Sequence, residues 1–292
     1  MTSSDIIRLL TLAAIWGSSF LFMRIASPVL GSAYLAEGRV LLAAIFLYGL
    51  ALYLKKNRNL LDHWKHYLIM GFLNSAFPFV LFGFAALNLS TSQLSILNST
   101  APIWGFVIGL FIGNEKFKIK RGLGLLLGVI GVGVLFGTSP TSVDASTYQS
   151  ITLGLGAAFS YGLASNHAKK SKGVEPFDNA HGSMWASAFL LIPTLFFIPV
   201  RGEPTALVLG TVIAIGVLCS GIAYLLYFRL IKDVGAASAL TVTFLIPVFG
   251  TLWGILFLGE QLTLNATIGI VIIIVGTAMV AEFDIKKLIK AG

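Results

Sequence analysis

Asn74, Asn98 and Thr243 each stand four residues before a proline: Pro78, Pro102 and Pro247. In a helix that spacing has a chemical consequence. Proline has no N–H to give the carbonyl four residues back, and its ring pushes that carbonyl aside. Away from water the freed oxygen needs another donor, or it costs several kcal/mol. Three such sites predict backbone carbonyls and polar side chains turned toward one wet space. Thr91, Ser95, Asn98 and Pro102 follow at steps of 4, 3 and 4, which is one helix face. This chemistry is recognition by hydrogen bonds, with no bond made or broken.

Aromatic residues join the set. Trp16 shares a helical face with Ser19 and Met23, Tyr161 with Ser165, and Tyr224 with Ser220 and Tyr227. Tyr and Trp combine a broad apolar face with one polar atom, which suits a pocket for an apolar side chain. Trp16 and Tyr161 lie about ten residues into their apolar runs, so an interfacial aromatic belt explains them poorly. Arg39 lies about two turns into its run, and Glu37 is on a different face. A structural or snorkelling role for Arg39 outweighs that of a ligand for a substrate carboxylate. Glu115 and Glu260 close their runs and read as caps. His167 reads as interfacial, and the one cysteine, Cys219, as a small packing residue. No phosphate-binding loop, His/Cys metal set or nucleophile with a base partner is present, so neither an enzyme nor a bound cofactor or metal is expected.

These residues require long apolar elements to hold them. Apolar residues are 57% of the 292-residue chain without glycine, and charged residues are 11%. A soluble domain has about 45–50% and about 25%. Such a chain cannot cover itself with a polar surface, and the expected solvent is a lipid bilayer. Runs long enough to span one occur at 6–27, 33–54, 66–87, 91–113, 120–138, 150–169, 179–199, 206–229, 235–258 and 263–282. Backbone groups in lipid must pair internally, so the runs are expected to be helices. The first run is too long for a cleaved signal peptide. The fold expected is an all-α integral membrane protein with ten transmembrane helices.

The net charge of +8 could point to nucleic acid. Its distribution points to orientation instead. With the N-terminus inside, all 20 Lys and Arg except Arg24, Arg39 and Arg201 fall on the cytoplasmic side, as the positive-inside rule requires. No nucleic-acid partner is expected, and both termini are expected in the cytoplasm.

The chain also repeats itself. "STAPIWGFVIGLFIGNE" at 99–115 and "FLIPVFGTLWGILFLGE" at 244–260 share Pro102/Pro247, Gly105/Gly250, Gly109/Gly254 and Glu115/Glu260, each 145 residues apart. Gly124/Gly269, Gly131/Gly276 and Trp16-Gly17/Tyr161-Gly162 keep the offset, and Gly38 matches Gly182 with a drift of one. The expected units are 1–145 and 146–292, each of five helices. Five is odd, so the second copy enters the membrane inverted. Inverted repeats are typical of secondary transporters, with the substrate near the midplane.

Ten helices in two halves, "WGSSF" at 16–20, and the P-x-x-G…G-E pattern that closes runs four and nine resemble the drug/metabolite transporter superfamily, and within it the EamA-type exporters. The resemblance implies export of amino acids or related small metabolites across a bacterial inner membrane. It implies a central cavity bounded by helices 1, 3, 4, 6, 8 and 9, with helices 5 and 10 as packing elements. Aromatic amino acid exporters are the members most similar. Tyr161 stands where the motif's Trp16 would repeat, so the halves differ at the cavity. The expectation is a carrier for a small molecule working by alternating access. No carboxylate sits deep in the spans, so it is expected to run as a facilitator. The alternatives are a proton-coupled drug or metabolite efflux carrier and, from another class, a channel.

Overall fold

The computed structural model describes residues 2–56, 62–113, 115–136, 144–170, 174–234, 239 and 242–281. The basic residues Arg58, Lys172, Lys286, Lys287 and Lys290 lie outside them, as do the edges of the apolar runs at 138, 235 and 282. The described residues are helical, with no strand among them.

Helix α1, Ser3–Tyr53, contains the first two apolar runs. Thr2 and Asp5 form a capping box at its start. At 1.5 Å per residue a straight α1 would be about 77 Å long, over twice the bilayer core. It is not straight. Gly31 has φ 74°, a left-handed conformation that favours glycine, and a side chain there would meet the Pro199 carbonyl at 2.9 Å. Arg39 Nη1 lies 3.0 Å from Ser19 Oγ, although twenty residues of straight helix would hold them about 30 Å apart. The two arms therefore fold back on each other at Gly31.

Helix α2 is Trp64–Ala85. It widens into a π-helical turn at Phe72–Ala76, where Phe77 N–H bonds the carbonyl of Phe72, just before Pro78. Helix α3, Thr91–Phe111, starts from a Ser90/Gln93 capping box and breaks at Ser99–Thr100, ahead of Pro102. Then come α4 (Ile119–Phe136), α5 (Ala145–Lys170) and α6 (Pro176–Phe197). Helix α7 runs through Ala206–Ile213, a π-helical stretch Ala214–Ile222, and Ala223–Val234. Helices α8 (Val242–Leu258, with Pro247 inside) and α9 (Leu264–Val280) complete the set. Helices α1, α2, α3 and α6 and the Ala206–Tyr227 part of α7 are long and apolar enough to cross a membrane. Phe111, Phe196 and Phe197 lie exposed on the outside, as lipid solvation allows.

Glycines set the closest crossings. A methyl group at Gly17 on α1 would meet Gly250 N of α8 at 2.9 Å, and one at Gly162 on α5 would meet Gly105 N of α3 at 2.8 Å. Gly38 lies against Val212, and Gly182 against Tyr67. Gly124 faces the Gly276 carbonyl, and Gly131 the Gly269 carbonyl, which locks α4 onto α9. In each pair of crossings, the two partners exchange places under the 145-residue offset, with the one-residue drift at Gly38/Gly182.

Candidate functional site

The middle of the bundle gathers side chains from α1, α2, α5 and α7. In the π-helical stretch of α7 the Cys219 carbonyl accepts a hydrogen bond from Trp16 Nε1–H at 3.1 Å. The Trp16 ring packs against Tyr227 (centroids 5.3 Å) and edge-on to Tyr224 (6.3 Å). Asn74, in the π-helical turn of α2, donates to the Tyr224 hydroxyl at 3.2 Å. Tyr161 stacks on Phe82, with centroids 6.3 Å apart. Trp16, Asn74, Tyr161, Tyr224 and Tyr227 are all half-buried. Pro78 is buried beside it and Ser19 is buried beneath it.

The remaining candidates are placed differently. Ser95 is buried, returns its hydroxyl to the Ser92 carbonyl and lies against Gly250. Ser165 bonds Gly162 O and lies against Gly105. Both belong to glycine crossings, apart from the aromatic wall. Asn98 and Pro102 are half-buried at the break in α3, Thr243 is half-buried and Pro247 is buried in α8. The carbonyls loosened near two of the prolines do not all face a wet space. Ser160 Oγ donates to Leu73 O at 2.7 Å, and Thr277 Oγ1 to Ser99 O at 3.2 Å. These are the carbonyls next to those of Asn74 and Asn98, and hydroxyls from other helices take up their bonding capacity.

For Arg39 the sequence favoured a structural or snorkelling role. It does not snorkel. It is 7% exposed and points inward. Nε donates to Ser220 Oγ at 2.8 Å, Nη1 donates to Ser19 Oγ at 3.0 Å, and the guanidinium carbon lies 3.7 Å from the centroid of Phe79. Among the described residues it forms no ion pair. The signal in the sequence was an arginine within an apolar run, but its direction depends on the fold-back at Gly31.

Apart from Glu37 on the second arm of α1, the paired acidic and histidine groups described next sit near helix ends. Glu115 pairs with Lys169 (2.7 Å) and Arg121 (2.5 Å). His66 Nδ1 is 3.2 Å from His167 Nε2, and His66 Nε2 is 2.8 Å from Asn179 Oδ1, which ties α2, α5 and α6 together at one end. Among the described residues no group of three or more His, Cys, Asp and Glu could hold a metal ion.

Similarity to known proteins points the same way as this geometry. The model of the EamA-like transporter family matches residues 4–137 and again 149–281. The chain is 25% identical over 278 residues to "Uncharacterized transporter YoaV" of Bacillus subtilis, covering 93% of this chain and 94% of that protein. It is 26% identical over 279 residues to an "Uncharacterized transporter" of Archaeoglobus fulgidus, covering 90% and 92%. A solved crystal structure has the same fold with a TM-score of 0.65 and 16% identity, covering 96% of both chains.

Proposed function

The chain belongs to the EamA-like transporter family, a multi-pass membrane transporter, and from that premise we propose that it exports amino acids, aromatic or apolar ones among them, by alternating access. The observation that carries this reading is the aromatic wall of Trp16, Tyr224 and Tyr227 with Asn74, built where the two matched segments meet. It offers broad apolar contact and a few hydrogen-bonding atoms, as a site for a small amphipathic molecule requires.

Two five-helix units, 1–145 and 146–292, inverted relative to each other, would provide the moving parts. Three features support them. The family matches start 145 residues apart, at 4 and 149. The glycine crossings exchange partners under that offset. Glu115 and Glu260 also make the same backbone turn, with N–H to the carbonyls of Gly109 (3.0 Å) and Gly254 (3.1 Å). An axis in the membrane plane fits a rocking carrier better than an axial pore, which favours a carrier over a channel. The basic residues favour cytoplasmic termini in an inner membrane.

The test is counterflow in proteoliposomes. Liposomes loaded with unlabelled L-phenylalanine should transiently accumulate labelled L-phenylalanine from outside, with saturable kinetics. Unsaturable flux with no counterflow would overturn the carrier.

A further inference from the structure

We propose that the guanidinium of Arg39 anchors the carboxylate of the transported molecule. This rests on the carrier reading above and narrows its substrate to acids and zwitterions. Arg39 carries a full positive charge in the middle of the bundle, where an ionised group is costly unless compensated. Its contacts are two neutral hydroxyls and one aromatic face. None of them cancels the charge.

The described carboxylates do not supply that compensation. Asp5 and Asp233 face Arg8 at the start of α1, Glu115 faces Lys169 and Arg121, and Glu260 is held at the start of α3. Glu37 is two residues away, about 200° around the helix. A scaffold bridging the arms of α1 to α7 would need only the two hydroxyl bonds, and a neutral residue could make those. The charge is the unexplained part.

The guanidinium is also set up to receive an anion. Ser220 and Ser19 fix Nε and Nη1, and Phe79 holds the plane from one side. Nη2 has no hydrogen-bond partner among the described residues, and it is not one of the sealed polar atoms that lack one. It therefore borders accessible space. A guanidinium held in this way suits the planar fork of a carboxylate. Phe79, which the guanidinium covers, belongs to the cluster that Tyr161 and Tyr224 pack against, and Tyr224 also touches Trp16. The cationic pole and the aromatic wall thus belong to one site. A molecule with a carboxylate and an apolar or aromatic body fits both ends, and an amine without a carboxylate meets only repulsion.

Three ligands that share a phenyl ring test this: L-phenylalanine, 3-phenylpropionate and phenethylamine. Their binding is measured by calorimetry to the purified full chain in nanodiscs. The expected result is that the wild type binds both carboxylates at least about tenfold tighter than phenethylamine. Arg39→Gln should abolish that preference without weakening phenethylamine, and Arg39→Lys should keep part of it. Ser19→Ala and Ser220→Ala, which loosen the guanidinium but retain its charge, should weaken the carboxylates alone, and they serve if Arg39→Gln does not fold. A wild type that favours phenethylamine equally, or binds neither carboxylate, overturns the anchor. So does an Arg39→Gln protein that keeps the preference, or a loss equal for all three ligands in every variant. Counterflow separates the two readings. A protein that exchanges phenethylamine or a nucleoside but no acid keeps the carrier and loses the anchor. One that binds 3-phenylpropionate through Arg39 yet shows no counterflow keeps the anchor and loses the carrier.

Discussion

The Glu260 carboxylate accepts a hydrogen bond from the backbone N–H of Thr91 at 2.6 Å, across 169 residues of sequence. Its second oxygen accepts from the N–H and the hydroxyl of Ser92, both at 3.3 Å. Thr91 and Ser92 open α3, where the first N–H groups have no partner within the helix and the helix dipole favours a negative charge. Gly259, at φ 64°, turns the chain so that Glu260 folds back over Gly254. One side chain therefore joins the end of α8 to the beginning of α3. Glu260→Gln keeps the shape but loses the charge, and should cost about 1–2 kcal/mol of stability. Glu260→Ala should cost more. Thermal unfolding in detergent reads both, and two unchanged midpoints would remove the cap from the account.

Glu115, at the corresponding place in the other match, uses cations instead. Lys169, and after it Arg121, hold its carboxyl below the ordinary glutamate range. A lowered native value means that its contribution is complete above the ordinary value of about 4.3 and is lost as pH falls through the native one. The gap in unfolding midpoint between wild type and Glu115→Gln should therefore stay constant from about pH 7 to pH 5 and close below about pH 4. A gap that persists at the lowest pH would show that the effect of the substitution is steric.

Hydropathy located the helices because lipid leaves an apolar run few alternatives. The 145-residue offset was legible because glycines at close crossings must recur wherever the crossing recurs. The reversal at Gly31 was legible too, since the first two runs, 6–27 and 33–54, part around Pro28 and Gly31, and the structure only carries helix closer to the turn on both sides. The π-helical stretches were missed. Pro78 announced a disturbance near Asn74, but nothing at Ala214–Ile222 marks one, and this is the stretch whose Cys219 carbonyl and Ser220 meet partners from α1. The aromatic residues came together as their faces suggested. Ser95 and Ser165 share a face with candidate residues, yet each is spent on a glycine of another helix. Which helix a face meets is long-range information, and spacing within one run cannot carry it.

The glycine crossings make a steric prediction. At Gly17 and Gly162 the obstructing atoms include backbone of the facing helix, which cannot rotate away. Gly17→Val and Gly162→Val should each destabilise by about 1–3 kcal/mol and lower the amount of folded protein in the membrane. Gly49 has nothing within 4 Å of an added methyl group, and Gly49→Ala should be neutral or stabilise by up to about 1 kcal/mol. Size-exclusion profiles and unfolding midpoints of the three variants decide it. Equal behaviour at Gly17 and Gly49 would mean that α1 and α8 are not held at this distance.

The last prediction concerns the energy source. A proton-driven carrier needs a carboxylate or imidazole that changes its proton as the site changes sides. The described ends of the bundle hold Glu115, Glu260 and the His66–His167 pair, all with partners. Glu37 is different. It is half-buried on the second arm of α1, and its Oε2 is sealed without a hydrogen bond among the described residues. It is two residues from Arg39, but no contact joins them. A facilitator needs no such group. Net uptake of L-phenylalanine into sealed proteoliposomes, at equal concentration on both sides, should therefore be zero with or without an imposed pH gradient. Glu37→Gln should change counterflow by less than about twofold, near 0.4 kcal/mol. Accumulation that follows the pH gradient, collapses with an uncoupler and vanishes in Glu37→Gln would make Glu37 the proton site and the protein a proton-coupled exporter.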